Sequence, residues 1–237
     1  MEIFKNIFIA IIFLFISINN TNGKVYGVFY AANGDLNCPE NDMKDLADLY
    51  RNRGAMIFLI RGESVNRTNV FKYLKKQAKS CKEEDMLVFA FSGHGCNDGI
   101  SCGDGFIWYN EIVSIFNSSK ACRKIIFTGA CESGGIKKAA NKIKLPKNGH
   151  FVAFTASRKN EYSLEEVGKR NSYFYNRVIN GLKGGADSNK DRKITAKELY
   201  EYISKYVRSD VDEDDVEHPT AYGRFNDNLV LMSWLKY

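Results

Sequence analysis

Two segments of this chain share one build: an apolar run suited to a buried strand ends in small residues and then presents a single reactive side chain. The first is Met86-Leu-Val-Phe-Ala-Phe-Ser-Gly-His-Gly95, and the second closes as Phe127-Thr-Gly-Ala-Cys-Glu-Ser-Gly-Gly135. Runs that are apolar throughout, rather than alternating, suit strands covered on both faces by helices. In an open α/β sheet of that kind, ligands are bound and chemistry is done outside the carboxyl ends of the strands. His94 and Cys131 would stand at two such ends, which constrains the fold and the site together.

The rest of the chain alternates accordingly. Residues 25–29 and 55–60 read as strands. Residues 41–53 carry Met43, Leu46, Ala47, Leu49 and Tyr50 at helical spacing, with Gly54 as the stop, and 68–78 read as a second helix. After Cys131, a strand over 151–155, a helix over 172–182 and a terminal strand over 228–234 follow. The pattern predicts an α/β fold in three layers, a mostly parallel central sheet with helices on both faces. A chain of 237 residues without internal repeats is most simply one domain with one good core.

The first residues stand apart. Lys5 precedes an apolar stretch over 7–18 and then Asn19-Asn-Thr-Asn-Gly23, the build of a secretory signal over 1–23. The expectation is a secreted or periplasmic domain over 24–237. The apolar stretch is shorter than the roughly 20 residues that span a bilayer, so no stable membrane insertion is expected after its removal. Six cysteines in an exported chain invite disulfides. If Cys131 stays reduced, five remain, and at least one is left over. Cys96 and Cys102 lie on one short loop and could pair across it, while Cys38, Cys81 and Cys122 have no deciding spacing. No Cys-x-x-Cys spacing supports zinc. The net charge of +6 is scattered and lacks interleaved aromatics, which argues against a nucleic-acid partner.

A free thiol has a pKa of roughly 8.5, and a neighbouring imidazolium lowers it by several units, giving a thiolate that attacks carbonyls. The flanking glycines let a substrate backbone come close. The N–H groups of Gly95 and Cys131 are placed to face the attacked oxygen. Either residue alone would read as structural, a small buried cysteine or a satisfied histidine. Both at glycine-framed strand ends point to chemistry, and His150 and His218 lack such framing. No third catalytic side chain is evident.

Phe91-Ser-Gly-His-Gly95 followed by Gly129-Ala-Cys-Glu-Ser-Gly134 resembles the histidine and cysteine boxes of the caspase-like peptidases, including metacaspases and their bacterial relatives. The likeness extends to the strand at 25–29, to Asn41-Asp42 opening the first helix, and to the strand after the cysteine. Ala-Cys-Glu-Ser-Gly is also similar to the cysteine box of legumains, which share fold and dyad. The resemblance implies a caspase-like fold and a cysteine endopeptidase that needs no cofactor for its chemistry and acts on proteins or peptides as a monomer.

For substrate choice the resemblance implies a pocket with Asp42, Ser157 and Glu165. Glu165, with Glu166 beside it, falls where caspases hold an acidic side chain with arginine, so a basic residue before the scissile bond is expected. Glu165 as a plain loop carboxylate is the competing reading. Gly129 departs from metacaspases, which place aspartate there, and this leaves legumain-like preference for asparagine open. A catalytically silent binding module and a non-proteolytic thiol hydrolase or transferase are the remaining alternatives. With basic preference, the lysine-rich stretch over 136–147 becomes a candidate self-cleavage loop, marked as loop by Pro146 and Gly149.

A second motif, Asp187-Ser-Asn-Lys-Asp-Arg-Lys-Ile-Thr-Ala-Lys-Glu198, matches a calcium loop. Asp187, Asn189, Asp191 and Glu198 would give side-chain ligands, Lys193 a carbonyl, and Thr195 a hydroxyl or bridging water. Arg192 departs from the glycine expected at the sharp turn, and Gly184-Gly185 breaks the helix leading in. The competing reading is a capping box of Thr195 with Glu198, needing no metal. Such loops occur in bacterial caspase-like domains, and the resemblance favours calcium in a structural or regulatory role. The acidic stretch 210–215 reads as solvated surface.

Overall fold

The computed structural model describes residues 23–165, 168–211 and 216–234; residues 1–22 of the signal expected over 1–23, Glu166 and residues 212–215 of the acidic stretch lie outside the described residues. The first half runs β1 (Val25–Ala32), α1 (Pro39–Arg51), β2 (Met56–Ile60), α2 (Arg67–Ser80) and β3 (Met86–Gly93). Three short strands follow, β4 (Gly95–Cys96), β5 (Gly99–Cys102) and β6 (Gly105–Trp108), then α3 (Tyr109–Ser118). Next come β7 (Arg123–Gly129), α4 (Lys137–Ala140), β8 (His150–Thr155) and α5 (Tyr173–Asn180). The chain closes with β9 (Lys193–Thr195), α6 (Ala196–Asp210), β10 (Thr220–Arg224) and β11 (Val230–Ser233).

Six strands form the main sheet in the order β10-β8-β7-β3-β1-β2, parallel except for β10 at one edge. Successive residues of one strand serve opposite faces, as the pleat requires. Phe29 and Val88 join a core with Leu46 and Ala47 of α1, Val178 of α5 and Leu199 of α6. Val28, Tyr30 and Phe89 join a second core with Leu74 of α2 and Phe116 of α3. The sheet is therefore the middle of three layers, as the alternation predicted. Every residue of β3 is buried, which is why its sequence carries no polar alternation.

The helix expected from residue 41 starts at Pro39, whose fixed φ and missing N–H suit a first-turn position. Residues 95–118, left unassigned by the sequence reading, form a three-stranded antiparallel sheet and α3. Strands of two and four residues among glycines carry too little periodicity to read. The terminal strand pairs antiparallel with β9, away from the main sheet, and the antiparallel edge is supplied by β10.

Two expectations are corrected. Cys96 stands opposite Gly99, and Cys102 stands opposite Gly105. The two thiols are thus tied to opposite ends of β5, about 10 Å apart at roughly 3.4 Å per residue, too far for a disulfide. The stretch 136–147 is not all loop: it contains α4, and Ile136, Ala139, Ala140 and Ile143 are buried against the second core.

Candidate active site

β3 and β7 lie side by side in parallel, with Ser92 opposite Gly129. Two residues further along each chain stand His94 and Cys131, so the register of the sheet alone brings the two boxes together. The approach is close: a Cβ on Gly95 would sit 2.8 Å from the Ala130 Cβ and 2.8 Å from the Cys131 carbonyl oxygen, so only glycine fits. Directly after the thiol, Glu132 takes a left-handed conformation, φ 55°, uncommon for a residue with a side chain. Strain of that kind costs on the order of 1 kcal/mol and holds only where the surroundings enforce it. Here the enforcing contacts are the Glu132 N–H to the Glu161 carbonyl at 2.8 Å and a fastener beneath the turn. Ser157 donates to the Ala130 carbonyl at 3.1 Å and accepts from the Ser133 N–H at 3.3 Å.

The Cys131 thiol is partly exposed. The backbone of Ser163 covers it from one side, with the N–H at 3.5 Å and the carbonyl at 3.8 Å from Sγ. His94 is 49 % exposed, and its Nε2 lies 2.6 Å from Oδ1 of Asp35, which the sequence reading did not single out. That hydrogen bond, first among its causes, lowers the Asp35 pKa. An ionised Asp35 places the imidazole proton on Nε2 and leaves the Nδ1 lone pair free to receive another. Asp35 sits in the Asn33-Gly34-Asp35 turn, whose composition signals only a turn.

The residues expected to hold substrate fall around the start of α1. Asp42 is fully buried, accepting from the Ser92 hydroxyl at 2.7 Å and from the Ser172 N–H and hydroxyl at 3.0 and 2.8 Å. Glu165 accepts from the N–H groups of Asn37 and Cys38 at 3.0 and 3.2 Å, satisfying donors where α1 begins. Both carboxylates act on Cys38: burial, then the charges of Glu165 and Asp42, push its thiol up to about 12. Ser157 has no exposed surface and acts beneath the Cys131 turn rather than facing a ligand. Gly129 is filled from behind, since a Cβ there would lie 2.5 Å from the Tyr175 ring. Glu217, also missed, is buried and accepts from the Leu164 N–H at 2.7 Å, and burial pushes it up to about 8.

The 187–198 loop turns sharply at Arg192 and closes on the capping box of Thr195 with Glu198. Arg192 adopts φ 64° at the sharp turn, and its N–H donates to Asp187 at 3.0 Å. The Asp191 N–H donates to Asn189, and Ile194 is buried on β9, where Lys193 also lies. Glu198 is committed elsewhere, to the Thr195 N–H and hydroxyl at 3.0 and 2.8 Å and to the Ser188 hydroxyl at 3.0 Å. Among the described residues no three of His, Cys, Asp and Glu converge on a metal position. Asp187, Asn189 and Asp191 fit a hard cation; Glu198, as placed, does not.

The caspase domain model matches residues 14–225, and the chain belongs to that family of cysteine peptidases. Its fold is shared by caspase-1 of Spodoptera frugiperda, with a TM-score of 0.68 at 15% identity over 91% of each chain. Protein GSU0716 of Geobacter sulfurreducens gives a TM-score of 0.66 at 17% identity, over 90% of this chain and 100% of that one. No curated protein matches the chain. Among the described residues no helix is long and apolar enough to cross a membrane.

Burial drives the Asp42 carboxyl up to about 7, opposed by the hydroxyls of Ser92 and Ser172. A carboxyl with a folded pKa above its unfolded value, near 3.9, stabilises the fold when protonated. That contribution is complete below about pH 4 and is lost as pH rises through about 7. Asp42→Asn cannot ionise, so the fall in Tm between about pH 5 and about pH 8 should shrink by several degrees. Thermal melts at the two pH values check this, and a slope as steep as wild type would contradict it.

Proposed function

We propose that the protein is an exported cysteine endopeptidase in which Cys131 is the nucleophile and His94 its base, with preference for arginine or lysine before the scissile bond. The observation that carries the chemistry is the register of β3 and β7, which sets the Gly95 backbone against Cys131. Sγ attacks the peptide carbonyl carbon, and its proton passes to Nδ1 of His94. The N–H groups of Gly95 and Cys131 face the oxygen that becomes negative. The C–N bond then breaks as the imidazolium protonates the departing amine, leaving a thioester on Cys131. Water, deprotonated by His94, hydrolyses that thioester and restores the thiol. Asp35, on the far nitrogen, orients the ring, the role a carboxylate plays toward histidine in other nucleophilic sites.

Basic preference is supported by Asp42 and Glu165, whose charges both act on Cys38, with Glu217 close enough to feel Asp42. Expected preference is cleavage after arginine or lysine at least about tenfold faster than after asparagine or aspartate. A fluorogenic panel with wild type, Cys131→Ala and His94→Ala tests this. Loss of cleavage in both variants supports the dyad; activity surviving Cys131→Ala sinks it, and faster cleavage after asparagine transfers the specificity to the legumain type.

Calcium takes no part in these steps. We propose that the 187–198 loop binds it weakly, since Glu198 must first leave the Thr195 cap, whose loss costs about 1 kcal/mol. Millimolar calcium should raise the wild-type Tm and leave that of Asp187→Ala unchanged. Identical melts of wild type in calcium and in chelator would remove calcium from the account.

A further inference from the structure

A cavity of about 490 Å³ opens beside His94 and has neither Cys131, Asp42 nor Glu165 on its wall. The wall comes from Ala32 at the end of β1 and Asn33 and Gly34 after it, from Val65 beyond β2, and from Ser101 and Cys102 of β5. Most of these are small or apolar. Glu40, the carboxylate on the rim, is paired with Arg61 at 3.4 Å, so the cavity carries little free charge.

The reaction proposed above decides what must lie next to His94. The departing amine takes its proton from the imidazole, so the residue after the scissile bond rests on the His94 side of the nucleophile. We propose that this cavity is the subsite for that residue and that it takes a bulky uncharged side chain of leucine or phenylalanine size. The subsite rests on the peptidase reading and adds a second determinant of cleavage, separate from the pocket for the preceding residue.

Moving a leucine side chain from water into such a wall is worth on the order of tenfold in kcat/KM over glycine. Peptides carrying the preferred residue of the panel before the bond, and glycine, leucine or phenylalanine after it, measure this. Leucine and phenylalanine peptides should be cleaved about tenfold faster than the glycine peptide. Cys102→Phe and, separately, Val65→Phe fill the cavity and should bring that ratio to about one in protein that melts normally. Equal rates for the three peptides in wild type, or an unmoved ratio in a folded filling variant, overturn the subsite. Fluorescence anisotropy of the same peptides with Cys131→Ala reads binding without turnover. Tighter binding of the bulky peptides with no cleavage by wild type would sink the peptidase reading and keep the cavity; uniform binding with no cleavage overturns both.

Discussion

The parallel pairing of β3 with β7 is the constraint on which the rest depends. Ser92 opposite Gly129 fixes where both boxes end, and no side chain separates Gly95 from Ala130 and Cys131. A one-residue slip would move the side chains of a strand from one core into the other, and each core is already filled by its own set. The site is therefore held by the same burial that holds the sheet. The hydroxyls of Ser157 and Ser133 then lock the turn after β7 to the end of β8, buried where water cannot compete.

Around this frame the chain gathers carboxylates. Asp42 and Glu217 are buried, and Glu165 is spent on backbone donors at the start of α1. Burying such groups costs free energy that favours their protonated forms, and a cationic ligand would reverse that preference. Asp35 differs in kind: it is exposed, ionised and directed at His94, so it acts on the imidazole rather than on the pocket. The Tyr175 ring occupies the space a side chain at 129 would need, and its hydroxyl donates to the carbonyls of Phe91 and Phe127. The acidic side chains lie in the segments around α1 and ahead of β10.

The parallel sheet and the two boxes were legible in sequence because strands buried on both faces write themselves as unbroken apolar runs. Met86–Gly93 is such a run and Ile125–Phe127 a shorter one, and α1 and α2 carry clear helical spacing. The β4–β6 sheet and α3 were not legible, since strands this short leave no period. Asp35 and Glu217 were invisible for another reason: each gains its meaning from a contact across 59 or 53 residues, to His94 and Leu164. The capping box at Thr195 and the calcium loop share the same residues, and the sequence could not choose how Glu198 would turn. Ser157, expected to face substrate, turned inward because its hydroxyl meets the Ala130 carbonyl under the turn.

Cysteine alkylation tests the central claim most directly, that the fold makes a nucleophile of Cys131 through His94. Brief treatment with iodoacetamide near neutral pH, read by peptide mass mapping, compares all six thiols in wild type and in His94→Ala. The account predicts that Cys131 is modified well ahead of the partly exposed Cys96 and Cys122, and that this lead is lost when His94 is replaced. A Cys131 that reacts no faster than Cys96 and Cys122, or that keeps its lead without the imidazole, would contradict it.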